Sequence, residues 1–267
     1  MRPYLSIFKL RFITNLQYRT AALAGLCTQI FFGLVFIMVY LAFYESGTSD
    51  GSMELSQLVT YIWLQQGFYA LIYLYYKDKE VINMIKSGDV AYELCRPQNI
   101  YFKWYARIYA SKLADVLLRF MPLLTFAFLI PSPIKLSLPY SYLSLTLFVI
   151  ALIMSSFLVT AVITLYHVLS FYTLESDGVM GMFVTVSEVF SGAIVPLPFF
   201  PAFLKKVADI LPFHYIADFP FRVYSGNIPS NECFTLLLQE SIWIIVIITI
   251  GYLLTKNAIK KIIVQGG

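Results

Sequence analysis

Residues 142–169 read YLSLTLFVIALIMSSFLVTAVITLYHVL, an apolar run without one Asp, Glu, Lys or Arg. A helix rises 1.5 Å per residue, so about 20 apolar residues cross the roughly 30 Å hydrocarbon core of a bilayer, and this run exceeds that length. Working outward from it, comparable runs lie at Thr20–Tyr44, Leu55–Tyr76, Leu113–Ile130, Val179–Pro196 and Cys233–Leu254. The expected fold is an all-α membrane protein with six transmembrane helices. Composition agrees: of 267 residues 59% are hydrophobic and 13% charged, with a mean hydropathy of +0.75. A soluble domain carries about a quarter charged residues and could not hide so much apolar surface.

Basic residues set the direction of crossing. The N-terminal arm (Arg2, Lys9, Arg11, Arg19), the connection after the second run (Lys77, Lys79, Lys86, Arg96, Lys103, Arg107) and the tail (Lys256, Lys260, Lys261) hold 13 Lys and Arg. The opposite side holds four, Lys135, Lys205, Lys206 and Arg222. Because basic loops stay in the cytoplasm, both termini are expected there, in a multi-pass protein of the inner (plasma) membrane. Residues 1–19 lack the short apolar core and small-residue cleavage site of a signal peptide, so the first span is expected to direct its own insertion.

The chain reads as a single transmembrane domain over 1–267 with three segments that do not span. In 1–19, Tyr4, Phe8, Phe12 and Leu16 recur every four residues with Leu5 beside them, and Arg11 breaks the stripe. This predicts an interfacial helix drawn to anionic inner-leaflet lipid. Residues 77–112 mix charges with apolar pairs such as Met84–Ile85 and Tyr101–Phe102, the pattern of amphipathic helices lying along the inner surface. In 196–232, Pro196, Pro198, Pro201, Pro212 and Pro220 interrupt an apolar sequence too broken to span. Backbone of that kind survives at membrane depth only when buried in protein or facing water, so short half-helices re-entering from the outer face are expected. A simple external loop is the alternative, since Lys205, Lys206, Asp209 and Asp218 would be at home in water.

Absent motifs narrow the chemistry. There is no G-x-x-x-x-G-K-[ST] loop to cradle phosphates, no H-E-x-x-H and no G-x-S-x-G, so neither catalysis nor a cofactor is expected in this chain. Cys27, Cys95 and Cys233 lie far apart, and His167 and His214 fall in different regions, so no metal site is expected. The charged residues inside spans are more informative. Glu188 lies mid-span in the fifth run and Glu240 in the outer part of the sixth, without an obvious basic partner. Such carboxyl groups either line a translocation pathway or hydrogen-bond to polar neighbours such as Ser187, Ser191 and Gln239. Gln65, Gln66 and the pair Ser155–Ser156 either line a pathway or glue helices together. Asp115 and Arg119, at i and i+4, predict an ion pair.

Taken in order, several motifs resemble a known family. They are the interfacial helix ending near Tyr18–Arg19, Ile85–Gly88 followed by Leu94–Pro97, and Ser191–Pro201 (SGAIVPLPFFP). Leu211–Phe213, Phe219–Pro220 with Gly226, Gln239–Trp243 and the closing Val264–Gly267 continue the series. Together they resemble the permeases of type-2 ABC exporters, in a bacterial branch whose permeases work in pairs with a separate ATPase. The resemblance implies a coupling helix at about Asn83–Pro97 docking on the ATPase; within it, Lys86, Gly88, Glu93, Arg96 and Pro97 are the candidate coupling residues, by salt bridges and a helix end fitted into a cleft on the ATPase. The resemblance also implies outer half-helices at about Phe199–Tyr224 and a pathway lined by the first, second and fifth spans, and Pro196, Pro198, Pro201 and Pro212, in and just before that stretch, are the candidate outer-gate residues. Gln65, Gln66, Glu188 and Glu240 are the candidate pathway residues. The implied partners are ABC ATPase subunits that bind ATP and Mg, a second permease of different or identical sequence, and membrane lipid, with no nucleic acid. An ion-coupled secondary transporter using Glu188 and Glu240, and a non-transporting scaffold, are the rival readings.

Overall fold

The computed structural model describes residues 2–47, 51–95, 97–173 and 176–260. All regular structure among them is helical, in twelve α-helices joined by short turns and two 3-10 turns. They are α1 (Arg2–Leu16), α2 (Arg19–Glu45), α3 (Leu55–Gly67), α4 (Tyr69–Ile72), α5 (Lys79–Ser87), α6 (Val90–Leu94), α7 (Ile100–Leu129), α8 (Tyr142–Leu169), α9 (Ser176–Phe190), α10 (Ala202–Ile210), α11 (Asp218–Ser225) and α12 (Ser230–Ile259).

Among the described residues three helices, α2, α8 and α12, are long and apolar enough to cross a membrane. α8 is the axis of the molecule, packed against α12, α11, α7, α4 and α9. Its small and polar residues face inward: Ala151, Ser155, Ser156, Thr160 and Thr164 are all buried. Small residues let neighbouring backbones approach, and their hydroxyls are satisfied locally or across the interface. Ser155 Oγ donates to the Ile216 carbonyl at 2.7 Å, tying α8 to the turn before α11. Of the two roles open to Ser155, the geometry selects the glue. Buried residues Cys233, Glu240, Ile247, Gly251, Thr255 and Ala258 form a stripe along α12, which packs on α8 and, at Gly251, meets the Tyr101 ring of α7.

The remaining predicted spans differ from continuous rods. The second is broken: α3 ends at Gly67, Phe68 takes non-helical angles, α4 adds one turn, and residues 73–78 run without helical structure to α5. The helix stops where α7 supplies substitutes for its missing hydrogen bonds. Lys112 Nζ donates to the Ala70 carbonyl at 3.1 Å and also to the Tyr73 carbonyl, so the freed acceptors are capped by an ammonium. The third run is embedded in a longer helix, because α7 begins at Ile100 and already includes residues 100–112 of the amphipathic connection. The fifth ends at Phe190 instead of Pro196, with Gly192 at φ +79°, a value that favours glycine.

α1 packs along α7 through the predicted stripe: Phe8 lies 6.0 Å from the Tyr109 ring, and the Tyr4 hydroxyl accepts the Asn99 N–H at 2.9 Å. Arg11, which breaks the stripe, has its own use in an ion pair with Glu80 at 2.9 Å. Leu5 is 70% exposed and sits off the packed face. The predicted Asp115–Arg119 ion pair is absent among the described residues. Arg119 instead lies against Gly25, where an added Cβ would fall 2.8 Å from its guanidinium, and its buried Nε has no hydrogen-bond partner.

Residues 196–232 form a series of short helices whose starts the prolines set. Pro196 and Pro201 immediately precede helical segments, Pro212 opens one, and Pro198 and Pro220 sit in first turns, where a missing N–H costs nothing. Lys205, Lys206 and Asp209 on α10 are exposed, but Asp218 is 1% exposed. Its carboxylate accepts the Leu197 N–H and the Arg222 Nη1, both at 3.0 Å, while its N–H donates to the Ser191 carbonyl at 3.0 Å. Tyr61 of α3 completes this hub by donating to the Gly192 carbonyl at 2.9 Å. The segment is thus bound into the main core, with Tyr215, Phe219 and Phe221 buried there.

Candidate functional site

α2 presents a buried stripe of Ala22, Gln29, Gly33 and Ile37. Gly33 lets α3 approach closely, since a Cβ there would lie 2.9 Å from the Trp63 ring. Beside this contact lies a cavity of about 290 Å³. α2 contributes Thr28, Gln29, Phe32 and Phe36 to its wall. The broken second span contributes Gln65, Gln66, Tyr69, Ile72 and Tyr73, and the fifth contributes Glu188, Ala193 and Ile194. Of the four residues singled out in the sequence as pathway candidates, Gln65, Gln66 and Glu188 come together here.

Each polar wall residue has a distinct situation. Gln65 donates from Nε2 to the Ala193 carbonyl and so closes the wall between α3 and the turn after α9. Glu188 Oε1 accepts the Leu74 N–H at 3.3 Å, satisfying a donor that the unwinding of the second span exposes. The sequence offered this carboxylate no basic partner; Lys112 of α7 reaches the same unwound stretch but donates to the Ala70 and Tyr73 carbonyls, and no ion pair joins it to Glu188 among the described residues. Gln29 is the residue that sequence reasoning missed. It is buried, and neither its Nε2 nor its Oε1 has a hydrogen-bond partner among the described residues. The signal was present: Gln29 is the lone amide side chain in a 27-residue apolar helix.

Glu240 does not join this group. It lies on the buried stripe of α12, itself fully buried, and neither carboxyl oxygen finds a partner among the described residues. The neighbouring Gln239 accepts from the Tyr215 hydroxyl at 2.9 Å. Pro196, Pro198, Pro201 and Pro212 sit in the short-helix segment after α9, joined to α3 through the Asp218 hub.

From Tyr73 the chain runs directly to α5, whose start is fixed by a charge cluster. Asp78 caps α5 by accepting the Glu80 and Val81 N–H groups at 3.1 and 3.3 Å. Arg107 of α7 grips Asp78, with Nη2 to Oδ1 at 2.9 Å, and also pairs with Glu80. The Asp78 N–H donates to Nε2 of buried His167, whose Nδ1 donates in turn to the Ile163 carbonyl at 2.8 Å. Burial pushes the Asp78 carboxyl up, against the pull of Arg11 and the two capping N–H groups. α5 and α6 rest on a small second core of Val81, Val90, Ile100, Tyr101, Trp104 and Val168.

Outward from that core, Lys86, Gly88 and Pro97 are exposed, as are Tyr92 and Leu94. Gly88 ends α5 in the left-handed conformation at φ +79°. Glu93 is engaged within the chain, paired with Lys103. Arg96 and the closing Val264–Gly267 lie outside the described residues. A depression of about 360 Å³ between α5–α6 and α7 is lined by Glu80, Asp89, Glu93, Lys103 and Arg107 among others. No cluster of His, Cys, Asp and Glu able to hold a metal occurs among the described residues.

Residues 26–266 match the family model described as ABC-2 family transporter protein. No curated protein matches the chain by sequence. A match over nearly the whole length, on a helical bundle with membrane-crossing helices around a partly polar cavity, places the chain: it belongs to the ABC-2 transporter family and is a membrane permease component of an ABC transporter.

Proposed function

We propose that this permease forms half of the translocation pathway of an ATP-driven exporter, with ATP and Mg bound by a separate ATPase that docks on α5–α6. The observation that carries the proposal is the continuity between cavity and docking segment. Tyr73 stands in the cavity wall, and five residues on, Asp78 caps the helix that presents Lys86. Movement of α5 therefore pulls on backbone that lines the cavity. α3–α4, α7 and α9 would complete six crossings with α2, α8 and α12, both termini in the cytoplasm of the inner membrane. The short helices at 197–225, rooted on Asp218, would gate the outer exit. A second permease, by the family branch a different chain, would supply the other half.

Purification in mild detergent should recover an ATPase and a second permease with this chain. Lys86→Glu should remove substrate-stimulated ATP hydrolysis while leaving insertion intact; unchanged stimulation and export would overturn the docking assignment. The ion-coupled reading, which needs Glu188 and Glu240 on one path, finds them on different packing surfaces and gains no support.

A further inference from the structure

We infer that the cavity selects an organic cation with a compact apolar body. The inference deepens the export reading, taking the cavity as the substrate site. Glu188 is the single charged side chain among the described residues of its wall. The nearby ammonium of Lys112 stands behind that wall, occupied by the Ala70 and Tyr73 carbonyls. An anion entering the cavity would meet a carboxylate and no base. A neutral molecule would strip water from Glu188 without replacing it, a costly exchange at membrane depth. A cation supplies what is missing.

The rest of the wall fits the same chemistry. Phe32, Phe36, Tyr69 and Tyr73 provide four aromatic rings, and the last two stack with centroids 5.1 Å apart. Aromatic faces attract cations, most strongly where water is excluded, and aromatic cages are a known means of holding quaternary ammonium groups. Gln29 adds a buried amide whose donor and acceptor have no partner among the described residues, able to fix a polar substituent on the cation. At about 290 Å³ the cavity admits a molecule of one ring and a cationic head.

The test uses the purified full chain in nanodiscs, with radiolabelled benzyltrimethylammonium as the probe. Its competitors are neopentylbenzene, in which carbon replaces the charged nitrogen, and benzenesulfonate, which reverses the charge. Saturable binding of the cation, poor competition by both others, and a loss of roughly tenfold or more in affinity in Glu188→Gln are expected. Glutamine keeps an acceptor for the Leu74 N–H, so the variant retains the wall. Competition on the native chain needs no variant at all. Equal competition by neopentylbenzene, or undiminished cation binding in Glu188→Gln, overturns the inference. The two readings fail separately. Glu188-dependent cation binding by a chain that recruits no ATPase would sink the exporter reading and leave the site. An ATPase-bound assembly stimulated by neutral amphiphiles and not by cations would do the reverse.

Discussion

Glu188 of α9 accepts the backbone N–H of Leu74 at 3.3 Å, across 114 residues of chain. On the same unwound stretch, Lys112 of α7 holds the carbonyls of Ala70 and Tyr73. One charged side chain from each of two other helices thus satisfies the donors and acceptors that a continuous helix would have paired within itself. Irregular backbone is tolerated at membrane depth on those terms, and in membrane proteins it marks places where a pathway is lined.

Removing the acceptor should expose this dependence. Glu188→Ala leaves the N–H of fully buried Leu74 unpaired and is expected to cost about 1–3 kcal/mol, whereas Glu188→Gln should stay within about 1 kcal/mol of the native chain. Thermal unfolding at fixed detergent concentration measures both. Equal losses in the two variants would mean that charge, and not the hydrogen bond, holds the segment.

Arg107 is expected to be the structural centre of the docking segment. It satisfies Asp78, whose side chain is 4% exposed, while Arg11 stands farther off at 3.8 Å. Arg107→Ala strands a buried carboxylate and should cost about 2–3 kcal/mol, softened by the two capping N–H groups and Arg11. Exposed Lys86→Ala should change stability by less than about 0.5 kcal/mol. Limited proteolysis should cut the Arg107→Ala chain within residues 79–95 much faster than the native chain.

The short-helix segment carries a built-in pH response at His214. Burial pushes this imidazole below its ordinary 6.5, outweighing the opposing pull of Asp218 and of the Ala208 and Leu211 carbonyls, to which Nδ1–H donates at 3.0 Å. Below that ordinary value the unfolded chain takes up a proton that the folded chain refuses. Stability is then full above pH 6.5 and falls as pH drops beneath it. The melting temperature should decline from pH 7.5 to pH 5, and the decline should be shallower in His214→Gln.

Glu240 should prove dispensable. A buried carboxyl group without a partner costs stability, and an apolar side chain of similar volume relieves that cost. Glu240→Met is expected to hold or raise the melting temperature and to leave transport intact. Loss of transport in a stably folded Glu240→Met chain would revive the ion-coupled reading.

The membrane class, the long runs of α2, α8 and α12 and the family resemblance were legible in residue order, because hydropathy over about 20 residues is a local property and the bilayer enforces it on any chain that crosses. The proline punctuation of 196–232 was legible for the same reason: the missing N–H of proline acts on its own turn. What the tertiary structure decided is where polar groups are spent. Span two could be read as one helix because nothing in its own residues announces that Lys112, forty residues on, will cap its carbonyls at Ala70 and Tyr73. Glu188 and Glu240 look alike in sequence, yet one stands in a cavity wall and the other on the buried face of α12. Gln29 gains its meaning only when α3 and α9 close around it and leave its amide unpaired. Apolar burial is summed along each segment and can be counted residue by residue; a hydrogen bond needs two groups within about 3 Å, and only the packed fold brings residues 29, 74, 112 and 188 to one place.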